Sequence, residues 1–327
     1  MNKYNTKMFY DNDADIEIIR KKRVLIIGYG NQGRAQAKNL IDSGVKVWVG
    51  LRYGSKSLRK TNLDRVNVKQ LSNGVKEADI ISFLIPDQNV YDLYEKIKKN
   101  IRPGQTLLFS HGYNIFYNKI RPPKFVNIIM VAPSGAGIVV REAFKKNSGV
   151  PNLIAIQQDY TKDALKIALS YSKAIGGTRA GAFLSTFKEE TESDLFGEQA
   201  VLCGGIPELI KAAFNVLVDK GFQPIVAWYV CFYEVKLIVD VFHKKGFAHM
   251  YKSISETAEY GGLKNGTKII NGSVKKNLEK ILEDIQSKKF FNEFENDTKN
   301  QFKELKVLRK HDSGSRFEET TKFLNNI

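Results

Sequence analysis

The sequence predicts an α/β protein in two parts, a doubly wound domain over residues 1–185 and an all-helical domain over 186–327. Three observations carry this. Up to about residue 157, short apolar runs alternate with amphipathic stretches, the pattern of strand–helix–strand units. A glycine-rich turn directly follows the first apolar run. Beyond about residue 185 the alternation stops and long apolar helical stretches take over. A chain of 327 residues has the length for two such domains.

The elements follow in order. "RVLIIGYG", "KVWVGL", "ADIISFLIP", "QTLLFSHG", "NIIMVAPSG" and "NLIAIQQD" each read as a buried strand of a largely parallel sheet. Between them, "NQGRAQAKNLIDSG" and "QNVYDLYEKIKKNI" carry helical spacing. "TKDALKIALSYSKAIGG" adds a helix that stops at glycine. In the second part, "SDLFGEQAVLCGGIPELIKAAFNVLVDKG" and "VAWYVCFYEVKLIVDVFHKKG" are too apolar for surface helices. They predict the inside of a helical domain or a homo-oligomer interface. From about residue 272 the helices are polar on most faces and are expected to wrap the outside.

Composition narrows the function. The chain is 43% hydrophobic and 26% charged, as in an ordinary soluble protein. No apolar run is expected to reach the length of a membrane span, and "MNKYNTKMFYDNDADIE" has no signal-peptide core. Cys203 and Cys231 make neither a disulfide framework nor a zinc pattern, which fits a reducing, cytoplasmic setting. The formal charge is +16, but the lysines are spread along the chain with no arginine-rich tail or zinc-finger spacing. Nucleic acid is therefore not expected as a partner, and neither is a membrane. Steering of anionic small molecules is.

Gly28, Gly30 and Gly33 form G-x-G-x-x-G between a buried strand and a helix, the dinucleotide-binding fingerprint of a Rossmann domain. At the end of the second strand, "VGLRYGSKS" offers Arg52, Ser55 and Ser57 where NAD-binding sheets usually carry an acid. A guanidinium and two hydroxyls suit a 2′-phosphate, so NADPH is the expected cofactor; a basic surface loop would read the same way. His111, in "FSHGYNI", follows a strand at its carboxyl end, where open α/β sheets bind ligands. His243, His249 and His311 have no comparable context.

The basic chain also gathers acids. "FKEETESDLFGEQAVLCGG" places Glu189, Glu190, Glu192, Asp194 and Glu198 within twelve positions that hold one lysine. Asp194 and Glu198 are four apart and share a helix face. Glu234 sits in a second apolar helix, where an unpaired buried carboxylate is costly. Such acids suit Mg²⁺; periodicity leaves helix capping equally open.

"GYGNQG", "RYGSKS", "SHGYNI", "TRAG", "FKEETESDLFGEQAVLCGG", "KLIVD" and "SISETAEYG" together resemble the ketol-acid reductoisomerases of the short, bacterial type, along nearly the whole chain. The resemblance implies a Rossmann domain followed by a helical, knotted domain. It implies NADPH, two Mg²⁺ ions and an acetohydroxy-acid substrate, 2-acetolactate or 2-aceto-2-hydroxybutyrate. The reaction would be a metal-assisted alkyl shift followed by reduction to a 2,3-dihydroxy acid, in valine and isoleucine biosynthesis. By resemblance, Asp194, Glu198 and Glu234 match metal ligands, Ser255 a substrate contact and His111 the active-site histidine. Tyr29, Gly30, Asn31 and Gln32 match the phosphate loop. Asp87, Gln88, Asn89 and Val90 match the loop on the adenosine side, and Gly137 the glycine near the nicotinamide. Glu189, Glu190 and Glu192 are read as outer residues, some merely solvated.

Two positions depart from the family. "VAPSGAG" has Ser134 where the family has lysine, and "YVCFYE" has Val230 where it has a ligand glutamate. They raise two alternatives to a working reductoisomerase: an impaired relative that keeps the fold and NADPH, and an NADP-dependent dehydrogenase without isomerase activity.

Overall fold

The computed structural model describes residues 6–52 and 54–326; Tyr53, within the "RYGSKS" motif, residues 1–5 and Ile327 lie outside the described residues. The chain divides into two compact units, Met1–Thr191 and Glu192–Ile327.

The first unit is built on nine strands: β1 (Met8–Phe9), β2 (Arg23–Ile27), β3 (Lys46–Leu51), β4 (Val68–Gln70), β5 (Ile80–Phe83), β6 (Thr106–Phe109), β7 (Asn127–Pro133), β8 (Asn152–Gln158) and β9 (Ala182–Leu184). Its helices are α1 (Ile16–Arg20), α2 (Asn31–Asp42), α3 (Leu58–Leu63), α4 (Leu71–Glu77), α5 (Val90–Ile97), α6 (Tyr113–Phe116), α7 (Gly137–Lys145) and α8 (Ala164–Ala174). Helix α9 (Phe187–Gly197) carries the chain into the second unit.

The strands lie in the order β1-β9-β8-β7-β6-β5-β2-β3-β4. From β4 to β7 the sheet is parallel, with the strand order reversing between β2 and β5. That reversal is the switch point at which doubly wound sheets bind ligands. All six predicted strands form, but β8 runs antiparallel to β7. Alternation along β2 explains the two-sided burial: Val24 and Ile26 pack with α1, α2 and α8, while Leu25 and Ile27 pack with α4 and α5. Helix α8 ends as expected, with Gly176 in the left-handed region at φ 91°.

The second unit is helical. It contains α10 (Gly205–Asp219), α11 (Pro224–Trp228), α12 (Glu234–Lys245), α13 (Phe247–Tyr251), α14 (Glu256–Ile269), α15 (Gly272–Gln286), α16 (Lys289–Lys299), α17 (Lys303–Ser313) and α18 (Arg316–Asn325). Two π-turns interrupt it, Glu198–Leu202 and Tyr229–Tyr233. Phe214, Ala227 and Phe317 form its buried core. The terminal helices are therefore not all outer wrapping: α18 contributes Phe317, and Thr321 accepts the Trp228 indole N–H at 2.9 Å.

One expectation narrows and another needs correction. Of the two readings of the apolar helices, the interior of this unit does not hold, which leaves the interface: Leu202, Val216, Val230 and Tyr233 are 62%, 62%, 47% and 51% exposed. The helical run Phe187–Asp219 is also long and apolar enough, by length and composition, to cross a membrane.

Candidate active site

The phosphate turn lies at the switch point, between the ends of β2 and β5, and each fingerprint glycine has its own reason. Gly28 has φ +98°, and a Cβ there would lie 2.5 Å from the Leu84 carbonyl oxygen on the neighbouring strand's exit. A Cβ on Gly33 would meet the Gly28 carbonyl at 2.4 Å, so α2 packs tightly on its own turn. At Gly30 a Cβ would meet nothing within 4 Å. That open space lies at the start of a twelve-residue helix, the kind of end that suits an anion.

Other members of the turn are occupied otherwise than the motif suggests. Tyr29 is buried and its hydroxyl donates to Asp64 at 3.0 Å, which leaves its backbone for a ligand. The Gln32 amide donates to the Gly135 carbonyl at 2.8 Å. Asn31 is exposed. Gly137 opens α7, and a Cβ there would lie 2.2 Å from the Asn31 carbonyl oxygen. Its smallness thus lets the starts of α2 and α7 touch. Along these two helices runs a cleft of about 350 Å³, lined by Gly30, Asn31, Gly137 and the cations Arg34, Lys38, Lys60, Arg141 and Lys145. A Gly-lined cleft with five cations fits a phosphate-bearing dinucleotide.

Arg52 is exposed at the exit of β3. Ser55 and Ser57 follow it in a turn, where the Ser57 N–H donates to the Ser55 hydroxyl at 3.3 Å. On the other side of the switch point, Asp87, Gln88 and Asn89 form a single 3₁₀ turn that Val90 continues into α5. Asp87 accepts from the Asn114 amide at 2.9 Å, and burial raises its carboxyl above the ordinary value.

His111 follows β6, and its partner is a residue read above as an outer acid. Glu190 is only 3% exposed. One carboxylate oxygen lies 2.9 Å from His111 Nδ1, and the other accepts the Gly112 N–H at 2.8 Å. A carboxylate only accepts, so Nδ1 carries a proton toward Glu190. Gly112 is small because a Cβ would lie 2.3 Å from the Thr191 hydroxyl and 3.0 Å from Glu190. Spacing held the missed signal. Phe187, Glu190, Thr191 and Leu195 are all buried and recur at helical intervals, so Glu190 belongs to the packed face of α9. Glu192 is also buried, accepting from Gln286 at 3.2 Å.

Asp194 and Glu198 are exposed, Glu198 at the start of the first π-turn. Glu234 is exposed rather than buried, and it begins α12 directly after the second π-turn. Single π-turns often mark functional sites; here both adjoin the acids singled out by sequence. Ser255 caps α14, accepting from the Ala258 N–H at 3.3 Å. Among the described residues, Asp194, Glu198 and Glu234 do not gather as a set of three ligands. Ser134 is exposed at the end of β7, with its N–H donating to the Pro151 carbonyl at 2.8 Å.

Comparison with known proteins covers both units. Residues 18–181 match the family described as acetohydroxy acid isomeroreductase, NADPH-binding domain, and residues 187–327 match ketol-acid reductoisomerase, C-terminal domain. The chain is 50% identical over 285 residues to the ketol-acid reductoisomerase (NADP(+)) of Clostridioides difficile (strain 630), covering 87% of each. It superposes with a TM-score of 0.95 on an NADH-preferring ketol-acid reductoisomerase from an uncultured archean, at 37% identity, covering 98% of this chain and 99% of that one. A semialdehyde dehydrogenase NAD-binding protein from Cupriavidus necator shares the fold alone, at 15% identity with a TM-score of 0.61, covering 82% of this chain and 99% of that one. With both halves matched in order and half of the 285 aligned residues identical to a curated relative, the chain belongs to the ketol-acid reductoisomerase family.

Proposed function

We infer that the protein is an NADP-dependent ketol-acid reductoisomerase of branched-chain amino-acid biosynthesis. It converts acetohydroxy acids, 2-acetolactate and 2-aceto-2-hydroxybutyrate, to 2,3-dihydroxy acids. The observation that carries this reading is the His111–Glu190 pair at the carboxyl edge of the sheet that bears the phosphate turn, in a chain whose two units match the family in order. Gly28, Gly30 and Gly33 shape the turn that takes the pyrophosphate, while Arg52, Ser55 and Ser57 receive the 2′-phosphate. Asp87 to Val90 border the adenosine side. His111, oriented by Glu190, holds or takes a proton beside the substrate.

Asp194, Glu198 and Glu234 present hard oxygen donors, the chemistry Mg²⁺ takes. Bound there, Mg²⁺ would supply Lewis-acid polarisation of the substrate oxygens. Ser255 would contact substrate. Support for a homo-oligomer comes from the helical unit's exposed apolar side chains and small core. A second copy would cover that face, and it would explain the apolar run Phe187–Asp219 without a membrane. The dispersed lysines oppose a nucleic-acid partner, and free Cys203 and Cys231 suit the cytoplasm.

Two measurements test this. NADPH oxidation should require both acetolactate and Mg²⁺; oxidation without Mg²⁺, or none with both present, would sink the assignment. Sedimentation at micromolar concentration should show a dimer or larger, and a monomer would refute the second-copy reading.

A further inference from the structure

We propose that Asp64 is a positioning residue for the cofactor, mooring the helix after the ribose loop to the phosphate turn and so setting the preference for NADPH over NADH. The proposal rests on the cofactor reading above. Asp64 caps the end of α3, the helix that directly follows Arg52, Ser55 and Ser57. Its carboxylate is only 6% exposed. One oxygen accepts from Arg34 Nε at 2.6 Å and from the Tyr29 hydroxyl at 3.0 Å. The other accepts from a second Arg34 nitrogen at 3.0 Å and from Lys38 Nζ at 2.8 Å. All three donors belong to the phosphate turn and α2, and the Arg34 contact is a two-pronged fork.

Little else holds α3. Leu58 and Leu63 are 36% and 74% exposed, and Thr61 is its one buried residue. The Thr61 hydroxyl donates to the helix's own Leu58 carbonyl. A helix of six residues has no stability of its own in water. Buried Val66 and β4 fix the chain beyond Asp64, so the position of residues 54–63 against the phosphate turn depends chiefly on the four hydrogen bonds to Asp64. NADH uses the phosphate turn but has no 2′-phosphate for Arg52, Ser55 and Ser57 to meet, so a displaced ribose loop should affect NADPH selectively.

A purely electrostatic role predicts the opposite sign. Arg34 and Lys38 line the cationic cleft. If Asp64 only neutralised them, removing its charge would tighten NADPH, with strong salt dependence.

The test uses the full chain and titrates NADPH and NADH at two salt concentrations against Asp64→Asn and Lys38→Gln. Asp64→Asn should weaken NADPH about ten-fold, the worth of one charge-assisted hydrogen bond, and NADH about two-fold or less. Lys38→Gln, which leaves Arg34 and Tyr29 on the carboxylate, should move the NADPH:NADH ratio the same way by a smaller factor. Hydrogen exchange of the cofactor-free variants should speed up in residues 58–66 while β2, β5 and β6 stay protected. Should Asp64→Asn fail to fold, the Lys38→Gln ratio and exchange decide alone. Tighter, salt-sensitive NADPH binding, or an unchanged ratio in both variants of a protein that binds NADPH, overturns the tether alone. Failure of the unmodified protein to bind either cofactor overturns the cofactor reading and the tether with it.

Discussion

Glu190→Gln should lower kcat on the order of 10²–10⁴-fold, the usual worth of a positioned acid–base group, while NADPH affinity stays within about two-fold. The substitution is isosteric, so packing around α9 survives; what it removes is an acceptor. The native carboxylate accepts from His111 Nδ1 on one oxygen and from the Gly112 N–H on the other. An amide has one oxygen and one NH₂, so it can satisfy only one of these donors. If the oxygen faces Gly112, the NH₂ faces Nδ1 and the imidazole must give up its Nδ1 proton or turn away, which changes its tautomer and orientation. If the oxygen faces His111, the buried Gly112 N–H is left opposite a second donor. The first outcome disturbs the histidine directly; the second destabilises the Gly112 turn that carries it. Steady-state assay with a pH profile checks this, alongside a cofactor titration. A Gln variant with near-native kcat would show that His111 orientation does not matter, and one that loses NADPH binding would point to a damaged fold.

That residue also marks where sequence reading stops. The strands of the first unit were legible because burial on both sheet faces demands continuous apolar runs, and the phosphate turn because three glycines must sit where a side chain would collide or block a ligand. Glu189, Glu190 and Glu192 are chemically alike, and only the packing of α9 makes Glu190 a buried partner of a histidine 79 positions away. Asp64 reaches Arg34 across 30 positions, so no local pattern could link them. Strand direction leaves no trace in composition, which is why the reversal of β8 was not foreseen. The apolar helices of the second unit were recognised as needing cover, yet periodicity cannot say whether that cover comes from the same chain.

Restoring the two family residues, Ser134→Lys with Val230→Glu, should raise turnover at least about ten-fold at limiting Mg²⁺, and by more than the product of the single effects. The structure removes the main objection, that the neighbourhood has closed around smaller side chains. Val230 is 47% exposed, in the π-turn that leads into Glu234. Ser134 is exposed too, and only its backbone N–H is engaged, with Pro151. Within the single chain neither site buries a longer, charged side chain, so the stability cost at Ser134 should stay within about 0.5 kcal/mol, while a glutamate at 230 would also have to be accommodated by any second copy covering that face. A glutamate at 230 would stand one helical turn before Glu234 and add a hard oxygen donor on the same face. Without it, Mg²⁺ bound at the proposed site would have fewer carboxylates and more water around it, and a higher concentration should be required. Lysine at 134 would return a cation that serine's hydroxyl cannot replace. Coupling is expected because, by the family resemblance, both residues serve the same reaction, so an added acid or an added lysine alone would leave its charge unbalanced. Mg²⁺ titrations of activity and calorimetric Mg²⁺ binding, on the parent, both singles and the double, measure this directly. Full activity of the parent at low Mg²⁺, with no gain in the double variant, would show that the remaining acids hold the metal unaided.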